Sequence, residues 1–255
     1  FTVIVLTASL LSKCSQKALK DYRNIWRVYS YTIVATLSIM VLTSNLSSAI
    51  IIATIPAIMI LVVGVPKKFV KQAIFLVALA AIPMGAYLTL HGDGFRLNRI
   101  SVWLNPEDNA ADGGFQVLQG LYAIGSGGLF GKGLGNSAQK LGYVPEASND
   151  MIFSIICEEL GIFGALCIIA LFIFLIRRMR YIASNASDLF GSMVVVGVLA
   201  HISIQVVLNI AVVTNFIPNT GVSLPFISYG GTSLMFLMIE MAMVLSVSRR
   251  IKRIR

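Results

Sequence analysis

Hydrophobic and polar positions alternate along this chain on the scale of whole segments. Apolar runs at residues 29–43, 46–65, 72–91, 151–176, 189–214 and 226–248 are separated by short polar or basic stretches. Crossing a bilayer as a helix takes about 20 mostly apolar residues, so these runs predict transmembrane helices. Residues 1–12 are also apolar but too few to cross, and they read as the tail of another span. The expectation is an all-α polytopic membrane protein with about seven transmembrane segments, truncated at its N-terminus. Pro56 falls inside the run 46–65 and Pro83 inside 72–91, which are the third and fourth spans when the tail at 1–12 is counted, and both predict kinks. One long polar stretch, residues 92–150, breaks the alternation. Within it FQVLQGLY, residues 115–122, places Phe115, Leu118 and Tyr122 at helical spacing. This predicts a short helix lying at the interface or dipping into a protein-lined cavity.

Composition supports the pattern. The chain is 57% hydrophobic and only 12% charged, against about a quarter charged in soluble domains. A single membrane domain over 1–255 is expected, with 92–150 as a long loop inside it. The net charge of +9 does not point to nucleic acid, because of where the cations sit. Sixteen of the 20 Lys and Arg residues lie in four segments: Lys13 to Arg27, Lys67 to Lys71, Arg177 to Arg180 and Arg249 to Arg255. Alternate threading puts all four on one side, which the positive-inside rule makes cytoplasmic. The long loop is then extracytoplasmic and the C-terminus cytoplasmic. Cys14, Cys157 and Cys167 have neither metal-ligand spacing nor a disulfide framework.

Several stretches could carry chemistry. GSGGLFGKGLGNS fails the Walker pattern, since Ser126 stands where the first glycine belongs and Gly133 follows the lysine. Its exposed N–H groups, with Lys132 and Lys140 nearby, could still bind an anion; a tight structural turn is the alternative. Arg96, Arg99 and Trp103 recur at spacing three and four and could share one helical face. Such a face serves either as an interfacial anchor or as a lipid-phosphate contact. Asp150 directly precedes an apolar helix, where it could cap or act as a base, with Glu146 as a second carboxylate. Glu158, Glu159 and Glu240 fall inside apolar runs, which suggests either function or a hydrogen-bond network with Gln205, His201 and Asn209. Ser228, Tyr229, Thr232 and Ser233 lie in a stretch broken by Gly230 and Gly231, where they would line a cleft near the outer surface.

GSGGLFGKGLGNSAQKLGYVPEASNDMIFSIICEELG (125–161) and PNTGVSLPFISYGGTSL (218–234) resemble the SEDS family, the FtsW/RodA/SpoVE group. The details look most like its division and sporulation branch. The resemblance implies a ten-helix fold, of which the seven segments here correspond to helices four to ten. It implies a peptidoglycan glycosyltransferase that polymerises lipid II at the outer face of the cytoplasmic membrane. The implied partners are a class B penicillin-binding protein, other divisome membrane proteins and membrane lipids. The family's essential aspartate falls on Asp150, after PEASN, with Ser148 and Asn149 replacing the family's His and Thr. The family's Q-P-D-L-G-T turn falls on Thr43 to Ser48 without its proline or carboxylate. Asp150 is therefore the expected general base. Arg96, Arg99, Lys132, Asn136, Lys140, Glu146, Ser228 and Tyr229 are the expected substrate-binding residues. The cations among them could hold the lipid diphosphate alone or with a divalent cation, Mg or Mn, for which Asp150 is an alternative ligand. A lipid II flippase and a non-catalytic divisome scaffold are the competing readings.

Overall fold

The computed structural model describes residues 1–13, 28, 30–38, 46–64, 94–109, 113–141 and 147–251. The expected fourth span, with Pro83, lies outside the described residues, as do the turn residues Thr43, Ser44 and Asn45 and the side chain of Glu146. Helix is the regular structure throughout the described residues. It comprises α1 (Thr2–Lys13), α2 (Leu46–Val63), α3 (Gly94–Leu104), α4 (Gly114–Gly127), α5 (Ile152–Ser184), α6 (Leu189–Val213) and α7 (Gly231–Arg249). Residues 30–38 are helical as well, and a single 3-10 turn spans Gln139–Leu141. Among the described residues α5, α6 and α7 are long and apolar enough to cross a membrane, while α1 and most of α2 form shorter apolar helices. Pro56 sits inside α2.

The boundaries depart from the apolar runs in two places. Helix α5 continues to Ser184, so Arg177, Arg178 and Arg180 lie in its last turns rather than in a loop. Arg178 there stands over the ring of Tyr181, 5.2 Å from its centroid. Helix α7 begins at Gly231, so residues 226–230, read above as the start of a span, belong to the preceding turn.

The helices divide into two compact units. One comprises Phe1–Ala73, Ile173–Ile204 and Gly231–Arg255. Its core is built from residues at helical spacing: Ile4, Ala8 and Leu11 on α1, Met59 and Ile60 on α2, and Val195, Val198 and Ile202 on α6. Gly197 allows the close approach, since a Cβ there would meet Ile4 at 2.5 Å and the Met59 sulfur at 3.1 Å. Asp188 caps α6 by accepting a hydrogen bond from Gly191 N at 2.9 Å, in the N-cap manner. Glu240 is buried on α7 and faces the imidazole of His201, with Nδ1 at 2.9 and 3.1 Å from its two oxygens.

The second unit comprises Ile74–Phe172 and Gln205–Gly230. It contains α3, α4, the 3-10 turn, the first part of α5 and the loop between α6 and α7. The stretch 115–122 is helical, as its spacing suggests, but Phe115 and Tyr122 point outward. The buried face is Val117, Gly120, Ala123 and Gly127. Glycine decides this orientation: a Cβ on Gly120 would come within 2.4 Å of the Met151 side chain, and one on Gly127 within 1.9 Å of the Cys157 carbonyl oxygen. Helix α4 lies against α5 so closely that only its smallest side chains fit between them.

Candidate active site

The glycine-rich run completes a helix that the chain itself interrupts. Gly161, inside α5, has φ 69° and ψ −169°, far from helical values. In an unbroken helix the N–H groups of residues 162 and 163 would bond to the carbonyls of 158 and 159. Here Ile162 N bonds to Gly128 O at 3.0 Å and Phe163 N to Leu129 O at 3.2 Å. The two stranded carbonyls are taken by the same loop: Lys132 N bonds to Glu158 O and Gly133 N to Glu159 O, both at 2.9 Å. These four backbone groups freed by the break are thus paired again, as burial requires. Glycine is needed at the crossing itself. A Cβ on Gly161 would lie 2.4 Å from Gly131 N, and one on Gly131 would lie 2.2 Å from Glu159 O.

Side chains lock the same splice. Glu158 is fully buried and accepts from Lys132 Nζ at 2.7 Å, from the Ser137 hydroxyl, and from Ala138 N and Gln139 N, both at 3.3 Å. Glu159 accepts from Lys140 Nζ at 2.7 Å and from Ser137 N at 3.4 Å. Asn136 closes the run by donating to Lys132 O at 3.1 Å. The anion that this loop cradles is therefore a pair of carboxylates from its own chain. The expected network around the intramembrane glutamates is present with different partners. His201 serves Glu240, as anticipated, whereas Glu158 and Glu159 are met by Lys132, Ser137 and Lys140 from the loop and not by Gln205, His201 or Asn209.

Asp150 sits two residues before α5, at the other end of this braced segment, and is half-buried. Three consecutive carbonyls around it are held. Ser148 O accepts from Tyr229 N at 2.8 Å, Asn149 O from Ser228 Oγ at 2.6 Å and Asp150 O from Asn209 Nδ2 at 2.7 Å. Gly221, with φ +64°, lies against its carboxylate, such that a Cβ there would stand 3.7 Å from Asp150 Oδ2. The loop that supplies these contacts is itself tied to α3 and α4. Trp103 Nε1 donates to Asn215 O at 3.0 Å, Asn219 Nδ2 donates to Gln116 Oε1 at 3.0 Å, and Arg99 Nη1 reaches Asn219 O at 3.4 Å. Arg99 and Trp103, one helical turn apart, thus meet one loop, as their spacing suggests.

The expected site residues fall into two groups. Asp150, Arg99, Ser228 and Tyr229 gather on the 215–230 loop and the segment facing it, with the Tyr229 ring 80% exposed. Lys132, Asn136 and Lys140 belong to the splice. Arg96 lies on α3, but its side chain and all of Glu146 are outside the described residues. Among the described residues no three His, Cys, Asp or Glu side chains converge to hold a metal ion. Asn209 is the residue of this site that its sequence context had assigned elsewhere. Its place within an apolar helix suggested a partner for a buried acid, and its amide instead binds main-chain carbonyls.

The family model described as "Cell cycle protein", FtsW/RodA/SpoVE, matches residues 1–253. The chain belongs to the FtsW/RodA/SpoVE family. It is 50% identical over 155 residues to stage V sporulation protein E of Bacillus subtilis, a match covering 61% of this chain and 42% of that protein. It is 37% identical over 224 residues to a probable peptidoglycan glycosyltransferase FtsW of Trichlorobacter lovleyi, covering 88% of this chain and 58% of the relative. The chain thus spans about half the length of these relatives. Among solved structures, a chain of a peptidoglycan synthase complex that coordinates polymerization and crosslinking superposes with a TM-score of 0.73 at 23% identity. That superposition covers 98% of this chain and 68% of the other, and it shows the same helical fold. The membrane-spanning character expected from the apolar runs accordingly holds for this FtsW/RodA/SpoVE member.

Proposed function

We propose that this chain belongs to a peptidoglycan glycosyltransferase that polymerises lipid II at the outer face of the cytoplasmic membrane, with Asp150 as general base. The observation that carries this reading is the placement of Asp150. Its carboxylate borders Gly221, and its main chain is clamped to the loop that also receives Arg99. The names of the FtsW relatives support the reaction class; the proposed partner is a crosslinking class B penicillin-binding protein, and the solved structure of similar fold comes from a complex described as coordinating polymerization and crosslinking.

In the proposed step Asp150 takes the proton from the acceptor sugar hydroxyl as its oxygen attacks the anomeric carbon of the donor. The bond from that carbon to the lipid diphosphate breaks, and the diphosphate leaves with the bonding pair. Arg99 and Arg96 on α3 provide fixed positive charge for the leaving group. Lys132 and Lys140 contribute less to that field because Glu158 and Glu159 balance them. Tyr229, projecting from the same loop, would pack on the sugar or the lipid. Other divisome membrane proteins and a divalent cation on the diphosphate remain within this proposal.

The test is glycan formation by the complete gene product in detergent with purified lipid II. Wild type should form chains, and Asp150→Asn should form none while inserting and melting normally. Chain formation by Asp150→Asn would remove the assignment. Movement of labelled lipid across liposomes without chain formation would favour the flippase, and neither activity would favour the scaffold.

A further inference from the structure

Two of the bonds that hold the main chain at Asn149 and Asp150 are made by the side chains of Asn209 and Ser228. Asn209 is completely buried on α6. Its Nδ2 donates to Asp150 O at 2.7 Å and to Val222 O at 2.8 Å. Both partners are carbonyls, so the amide orientation is unambiguous and both of its hydrogens are committed. Ser228 is also two-ended: its hydroxyl donates to Asn149 O at 2.6 Å and accepts from Leu224 N at 2.7 Å. Each side chain therefore ties a carbonyl of the Asp150 segment to the backbone of the 222–228 loop.

The location of these ties is informative. Residues 147–151 form turns ahead of α5 and have no helical ladder of their own. Donors from outside the segment therefore help to set the main chain that orients the Asp150 side chain. The loop on the other side carries strain, because Phe226 has φ 65°, an uncommon conformation for a bulky side chain. Such strain persists where surrounding bonds over-determine it, and it gathers at functional sites. The Ser228 hydroxyl bonded to Leu224 N closes that strained turn.

We infer that Asn209 and Ser228 are positioning residues for Asp150, fixing the direction of its carboxylate by clamping the carbonyls of residues 149 and 150 to the 222–228 loop. The inference rests on the reading of Asp150 as the base. It gives Ser228 a role different from substrate contact, and the two roles differ in kinetics. A positioning residue acts on kcat, because displacing a reacting group by about 1 Å can cost on the order of 100-fold in rate. A residue that merely binds substrate shows itself in KM.

The test measures kcat, KM for lipid II and thermal midpoint in the complete gene product. Asn209→Asp is close to isosteric, but it sets a carboxylate oxygen against two carbonyl oxygens. It should lower kcat on the order of 100-fold and leave KM unchanged. Ser228→Ala removes one tie and should lower kcat roughly tenfold, about the value of one hydrogen bond, whereas Ser228→Thr keeps the hydroxyl and should recover most of the rate. Should Asn209→Asp fail to fold, the Ser228 pair carries the test alone. Wild-type kcat in Ser228→Ala, or a raised KM with kcat unchanged, would overturn the inference, as would Ser228→Thr being as slow as Ser228→Ala. If Asp150→Asn is inactive while Asn209→Asp turns over normally, the inference fails and the base assignment stands. If Asp150→Asn is active, the base assignment falls and takes the inference with it.

Discussion

Asp150 and Glu158 stand eight residues apart on one segment, and different elements surround them. The bonds described for Asp150 act on its main chain, through Asn209 and the neighbouring Ser228 and Tyr229. The bonds to Glu158 act on its carboxylate: a lysine, two serine hydroxyls and two backbone N–H groups. A carboxylate surrounded by donors is committed to structure, since removing its partners leaves a buried charge uncompensated. Asp150 lies ahead of α5, half-buried, with its carboxylate beside Gly221. The contrast separates acids that carry the fold from the one proposed to carry the chemistry.

The largest way to break the contrast is at the splice. Gly161→Ala would put a Cβ 2.4 Å from Gly131 N at a φ of +69°. With no flexible side chain to yield, the loss should exceed about 4 kcal/mol, seen as failure to accumulate in the membrane or a collapse of the thermal midpoint. Lys132→Met comes next. It strips the cation from a carboxylate that is 0% exposed and should cost about 3 kcal/mol. Lys140→Met should cost less, about 1 kcal/mol, because Glu159 and Lys140 retain 13% and 32% exposure. Equal losses from the two lysine variants, measured as midpoint shifts in detergent, would show that burial does not rank these pairs.

Much of this arrangement was legible in the residues. Apolar runs located α6 closely, and the spacing of residues 115–122 predicted the helix found there. Glu240 was expected to find a partner among Gln205, His201 and Asn209, because an ionisable group in an apolar helix needs one, and that partner is His201. The splice was not legible. It exchanges backbone groups between positions some thirty residues apart, and backbone bonds leave no side-chain signature beyond glycines that tolerate positive φ. For the same reason GSGGLFGKGLGNS could be read as a cradle for an outside anion, when the carboxylates it binds come from Glu158 and Glu159. Helix α4 shows a related limit. Periodicity predicted the helix but favoured its large apolar face, while Gly120 and Gly127 lie inward because close approach to α5 excludes anything larger.

The decisive measurement is a crossed pair on the complete gene product, Asp150→Asn and Glu158→Gln, each scored for thermal midpoint and for glycan formation from lipid II. The account predicts that Asp150→Asn keeps the wild-type midpoint and makes no glycan, while Glu158→Gln lowers the midpoint by the equivalent of about 2 kcal/mol and still polymerises at temperatures where it is folded. Glycan from Asp150→Asn, or a stable Glu158→Gln protein that is catalytically dead, would contradict it.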